Sequence, residues 1–130
     1  MTRLLLITLL LLSSAPAYAE WVAVTGNKEA GMTAYIDPDT IRRKGNLVKM
    51  WELLDFKKAQ TEGNLSVLSS KVQKEYDCAE ERHRMLAFID YSDNMGRGNV
   101  VHSDSTGYNW EPIAPDTIDL RMWKRVCMMK

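Results

Sequence analysis

The chain has 130 residues, 17 basic and 17 acidic side chains, and 45% hydrophobic residues, enough apolar material for one buried core. Without a basic excess there is no electrostatic footprint for nucleic acid or for an anionic membrane surface. Two histidines and two cysteines leave little material for a metal centre, and no cofactor-binding pattern is present.

Residues 1–19 read as a cleaved signal peptide. Thr2-Arg3 gives a short positive start, Leu4–Leu12 is apolar apart from Thr8, and Ala17-Tyr18-Ala19 is a small-x-small cleavage pattern. The apolar run falls far short of the ~20 residues that span a bilayer, and nothing after Glu20 is more apolar. No membrane span is therefore expected. No cysteine lies near the cleavage pattern, so a lipoprotein anchor is not expected either. Residues 20–130 then form a single exported domain, with 16 basic against 17 acidic side chains once Arg3 has left.

Cys78 and Cys127 both lie in the exported part, where paired thiols oxidise, and are read as one disulfide. Closing a loop of 49 positions is worth about 4 kcal/mol in the chain-entropy model.

From Trp21 the chain reads as short strands punctuated by turns. Trp21–Thr25 and Met32–Ile36 are β-prone and are separated by glycines; Asp37-Pro38-Asp39 turns the chain. After Lys44-Gly45-Asn46, Leu47–Phe56 is a longer strand with Val48, Met50, Leu54 and Phe56 on one side. Leu47, Trp51 and Leu53 on its other side predict that both faces are covered. Polar Lys57–Asn64 reads as a hairpin loop, and Leu65–Cys78 as a strand with Leu68, Val72, Tyr76 and Cys78 on one face. Arg82–Ser92 alternates most clearly, setting His83, Met85, Ala87, Ile89 and Tyr91 against Arg82, Arg84, Leu86, Phe88 and Asp90. A glycine turn over Asp93–Gly98 leads to Asn99–Ser103, the last expected strand. Beyond Pro115 the period becomes helical: Asp116 or Thr117 caps a helix with Ile118, Met122, Trp123, Val126 and Cys127 on its apolar stripe. The fold class is α+β, an antiparallel sheet of about five to six strands with one C-terminal helix packed on it and tied by the disulfide.

Chemistry-bearing residues are sparse. His83 and His102 would meet if the glycine turn paired their strands, and methionines nearby would complete a copper or haem site; surface or structural histidines are the favoured reading. Asp37 with Asp39, and Asp90 with Asp93, lack the spacing of a calcium loop, and turn chemistry accounts for the first pair. Ser92, Ser103 and Ser105 have no acid and base spaced around them, so no catalytic residue is assigned. The clusters Arg42-Arg43-Lys44 and Arg82-His83-Arg84 read as solvated faces. Aromatic residues make the one binding argument: Tyr108 and Trp110 sit in a polar loop, where exposed rings would anchor a protein or glycan ligand. The competing expectation packs Trp110 beneath Pro112 and Pro115. An open sheet edge offers a further route, to a homodimer or to an extended peptide.

The ordered set Glu20-Trp21-Val22, Tyr35-Ile36-Asp37-Pro38-Asp39-Thr40-Ile41, Tyr76-Asp77-Cys78 with Arg82 and Arg84, Tyr91, Trp110-Glu111-Pro112-Ile113 and Trp123–Cys127 resembles the surface-adhesin protein E family of Gram-negative bacteria. The resemblance spans nearly all of residues 20–130. It implies the same sheet, helix and cysteine tie, and a non-enzymatic binding module attaching to host proteins such as vitronectin, laminin or plasminogen. The alternative is a small periplasmic, envelope-associated accessory protein that meets no host ligand.

Overall fold

The computed structural model describes residues 20–27 and 31–128; the expected signal peptide and the last two residues, Met129 and Lys130, lie outside them. Eight strands and one helix are present among the described residues: β1 (Val22–Asn27), β2 (Met32–Ile36), β3 (Arg42–Lys44), β4 (Leu47–Glu62), β5 (Leu65–Asp77), β6 (Arg82–Tyr91), β7 (Val100–Asp104), β8 (Glu111–Pro112) and α1 (Ile118–Met128). All pairings are antiparallel, in the order β1-β2-β4-β5-β6-β7, with β3 beside β4 and β8 beside β6.

The strand count exceeds the five or six expected because β3 and β8 are too short to carry a hydrophobic period. The expected loop over Lys57–Asn64 is also corrected. β4 runs on to Glu62 and pairs Glu62 with Leu65 across a two-residue turn in which Gly63 adopts φ 63°. Lys57–Thr61 is exposed, so this part of the hairpin has no apolar face to announce it.

Each side of the sheet has its own origin in the register. Val48 opposes Tyr76, Met50 opposes Lys74, and Ile36 opposes Glu52, which places these six on one face. There α1 lies down. Met122 and Val126 are fully buried against Ala34, Ile36, Val48, Met50 and Tyr76, the heart of the core. At ~25 cal/mol per Å² this apolar burial is the main force holding helix to sheet. Thr117 is the N-cap of the two expected candidates: its hydroxyl accepts from the Leu120 amide at 3.2 Å. At the other end the Arg43 guanidinium donates to the Val126 carbonyl, where the helix dipole favours a cation. The disulfide joins Cys78, just past β5, to Cys127, with Cα atoms 5.5 Å apart. The Trp123 indole N–H adds a hydrogen bond to the Asp77 carbonyl at 2.8 Å.

The alternation expected along β6 is corrected by a bulge. Gln73 pairs with Ala87 and Lys74 with Met85, so Leu86 is the extra residue and the side-chain order inverts there. Arg82 and Arg84 consequently share a face with Ala87, Ile89 and Tyr91, while His83 joins Asp90 on the helix side. The expectation that β4 is covered on both faces holds at Leu53, which is fully buried away from the helix. The 93–98 turn covers that region, where the β4–β5 ladder breaks after Asp55. The Asn94 amide donates to Asp55 Oδ1 at 3.1 Å and to the Phe56 carbonyl at 2.9 Å, the latter a backbone acceptor beside the break in the ladder.

Candidate binding face

On the helix side the polar groups close on one another. Glu52 is buried and accepts from the Tyr76 hydroxyl; Lys74 contacts His83 Nδ1 and lies 3.4 Å from Asp119 of α1. Burial pushes the Glu52 carboxyl up to about 7 against the pull of Lys74 and the Tyr76 hydrogen bond. Burial and then the Glu52 charge raise Tyr76, and burial followed by Lys74 lowers His83. Glu52 and Tyr76 are closed off beneath the helix, whereas Lys74 and His83 reach a small hollow of about 190 Å³ shared with Tyr108, Asn109 and Glu111.

The opposite face is open. Cross-strand rows run Arg42–Lys49–Glu75–Arg84 and Lys44–Leu47–Asp77–Arg82. Glu75 and Asp77 are each taken by an arginine, Arg84 at 2.6 Å and Arg82 at 2.9 Å. Arg42 on β3 and Lys49 on the adjacent β4, directly opposed like charges, form no ion pair among the described residues, which leaves this end of the face electropositive.

Trp110 sits on this charged row. Its ring lies 4.7 Å from the Arg82 guanidinium and 4.6 Å from that of Arg84, a double cation–π contact. Trp110 thus stacks on β6, which the bulge permits by turning both arginines to this face. Tyr108 is exposed; its amide donates to the Met85 carbonyl at 2.9 Å and its hydroxyl to Asp104 at 3.1 Å. The two expected ligand-contacting residues therefore flank the same end of β6, with Trp110 clamped and Tyr108 presented to solvent.

The remaining sequence candidates disperse. His83 pairs with Tyr76 and His102 with Asp90, placing them about 23 Å apart along β6 at ~3.3 Å per residue. His83 stacks on Tyr76 and His102 meets Phe88 edge-on, so the expected approach of the two imidazoles does not occur. No cluster of three metal-ligating side chains exists among the described residues. Asp37 accepts from the Asp39 amide at 3.2 Å, the turn role expected of it. Asp90 accepts from the Ser70 hydroxyl and lies apart from any calcium loop.

Further along the open face, Trp21, Asp37, Trp51, Lys71, Ile89 and Tyr91 line a cavity of about 260 Å³. Sequence reasoning passed over it because its walls come from five separate segments. Trp51 is fixed where β2 gives way to β3 along the edge of β4. Its carbonyl accepts from the Asp37 amide at 3.1 Å, and its amide donates to the Thr40 hydroxyl at 3.0 Å.

The sequence model of the surface-adhesin protein E family matches residues 21–128. The chain belongs to that family. Solved structures of Haemophilus influenzae protein E share the fold: one crystal form superposes with a TM-score of 0.64 at 16% identity, covering 86% of this chain and 90% of that one. A second protein E structure gives a TM-score of 0.62 at 16% identity with 86% of each chain covered. Protein E from non-typeable Haemophilus influenzae gives 0.61 at 16% identity, with 87% and 78% covered. No curated protein sequence matches significantly. Membership in this adhesin family implies export. No helix among the described residues is long and apolar enough to cross a membrane.

Proposed function

We propose that this chain is an exported, non-enzymatic binding module that engages host matrix or plasma proteins through the face of the sheet that α1 leaves open. The observation that carries this reading is the asymmetry of the sheet. One face is covered by a disulfide-tied helix over a buried Glu52–Tyr76 pair, whereas the other presents Trp110 on two arginines, with exposed Tyr108 at the same end of β6. Aromatic and arginine side chains are the types that dominate binding hot spots. Family membership supports the adhesin class; the particular ligand belongs to the proposal.

The test pairs location with binding. Protease shaving of intact producing cells is expected to remove the protein, and residues 20–130 are expected to bind immobilised vitronectin, laminin or plasminogen saturably. A protease-protected pool that binds none of these would instead assign the chain to a periplasmic accessory role.

A further inference from the structure

Resting on the binding-module reading above, we infer that the cavity between Trp21, Trp51 and Tyr91 is a saccharide-binding site, the first position of a groove that takes a neutral oligosaccharide. At about 260 Å³ it is just below the ~300–1,000 Å³ of sites for drug-sized ligands, and so admits one ring-sized group. Three aromatic rings and Ile89 supply flat apolar walls, the surface on which the C–H face of a pyranose stacks.

The polar groups narrow the ligand class. Asp37 is 7% exposed, and neither it nor Lys71 forms an ion pair among the described residues, although both line this cavity. Lys71 is instead held over Tyr91, its ammonium 5.2 Å from the ring centroid. An anionic ligand would meet the Asp37 carboxylate, and a cationic one the Lys71 ammonium. A hydroxyl meets neither penalty, since it donates to a carboxylate and accepts from an ammonium. A ring bearing several hydroxyls and one apolar face therefore suits every wall of the cavity at once.

The groove continues beyond one ring. Trp51 and Ile89 also line a second hollow of about 550 Å³, whose polar lining is Gln73, Ser103, Asp104 and Ser105. Amide and hydroxyl groups in line with a shared aromatic wall are what a second sugar would require. The 93–98 turn buttresses the site: a Cβ on Gly96 would come within 2.7 Å of Lys71 Cε, so the glycine lets the lysine stem pass and reach Tyr91.

Saturation-transfer NMR on residues 20–130 with cellobiose, lactose, chitobiose and mannobiose tests the site. At least one disaccharide is expected to show transfer to its ring protons and saturable binding at ~1 mM or tighter. Lys71→Ala and Asp37→Asn are each expected to weaken it ~10-fold. Trp21→Ala, at the margin of the sheet, provides an aromatic variant that leaves the core intact. Absence of transfer from all four sugars, or wild-type affinity in both Lys71→Ala and Trp21→Ala, would overturn the assignment. The same preparations are applied to native and enzymatically deglycosylated laminin. Equal binding to both, without any sugar signal, would sink the groove while leaving the binding-module reading standing; binding to neither would remove that reading as well.

Discussion

The two faces of the β4–β5–β6 sheet treat charge and aromaticity in opposite ways. Beneath α1, Glu52 is matched by Tyr76 and Lys74 by Asp119, and the His83 ring stacks on Tyr76. On the open face the carboxylates are consumed by Arg82 and Arg84, while Arg42, Lys44 and Lys49 remain on the surface and Trp110, Trp51 and Tyr91 lie along it. The same strands supply both sides, residue by alternate residue. What differs is closure: the helix makes one side self-sufficient, and the other keeps recognition chemistry that the fold itself does not use up.

The largest effect that separates the faces should come from the tie that creates the closed one. Cys78→Ser is expected to leave a free thiol at Cys127 and to cost about 4 kcal/mol, seen as a fall in Tm that reductant does not deepen. Equal melting of wild type with and without reductant would contradict the role given to the disulfide. Next in size is the buried carboxyl. A Glu52 whose folded value is raised to about 7 binds its proton more tightly when folded, so it favours folding at low pH. That contribution is fully present below the unfolded value of about 4.5 and is lost as pH rises through 7, a change on the order of 3 kcal/mol. Lowered His83 works in the opposite sense below its ordinary 6.5, so wild type alone mixes the two. Glu52→Gln, which keeps an acceptor for Tyr76, should flatten the loss between pH 5 and 8 and exceed wild type in stability at the upper end.

On the open side the effects are smaller in stability and larger in binding. Gly96→Ala places a side chain at φ 69° against Lys71 and should cost ~1–2 kcal/mol. Trp110→Ala removes two exposed cation–π contacts and should cost about 1 kcal/mol in urea unfolding while abolishing much of the ligand affinity. If Trp110→Ala unfolded the domain, the ring would belong to the closed, structural half of the comparison.

How far these differences can be read in the chain depends on how local their signals are. The helix was legible because Ile118, Met122 and Val126 repeat at helical spacing behind a capping threonine, and the cysteine pair because export leaves two thiols one partner each. Strand β6 was found, but its faces were not: Leu86 breaks a perfect-looking alternation, since bulges are set by the neighbouring strand and not by the bulged one. The polar stretch Lys57–Thr61 is not legible as strand because residues exposed on both sides have no period to show. Tyr108 and Trp110 were singled out as aromatic residues in a polar loop, yet the two arginines that hold Trp110 depend on the bulge. The cavity was invisible in sequence for a related reason: Trp21, Trp51 and Tyr91 become neighbours only through four successive pairings that join five strands.

The central claim, that recognition resides on the face opposite the helix, is tested most directly by one binding comparison. Trp110→Ala and Lys71→Ala on the open face are set against Lys124→Ala on the exposed side of α1, each assayed on the same immobilised host protein after confirming folded circular dichroism. Loss of binding in the first two with wild-type binding in Lys124→Ala is the predicted result. Binding that survives both open-face variants, or fails in Lys124→Ala, would contradict it.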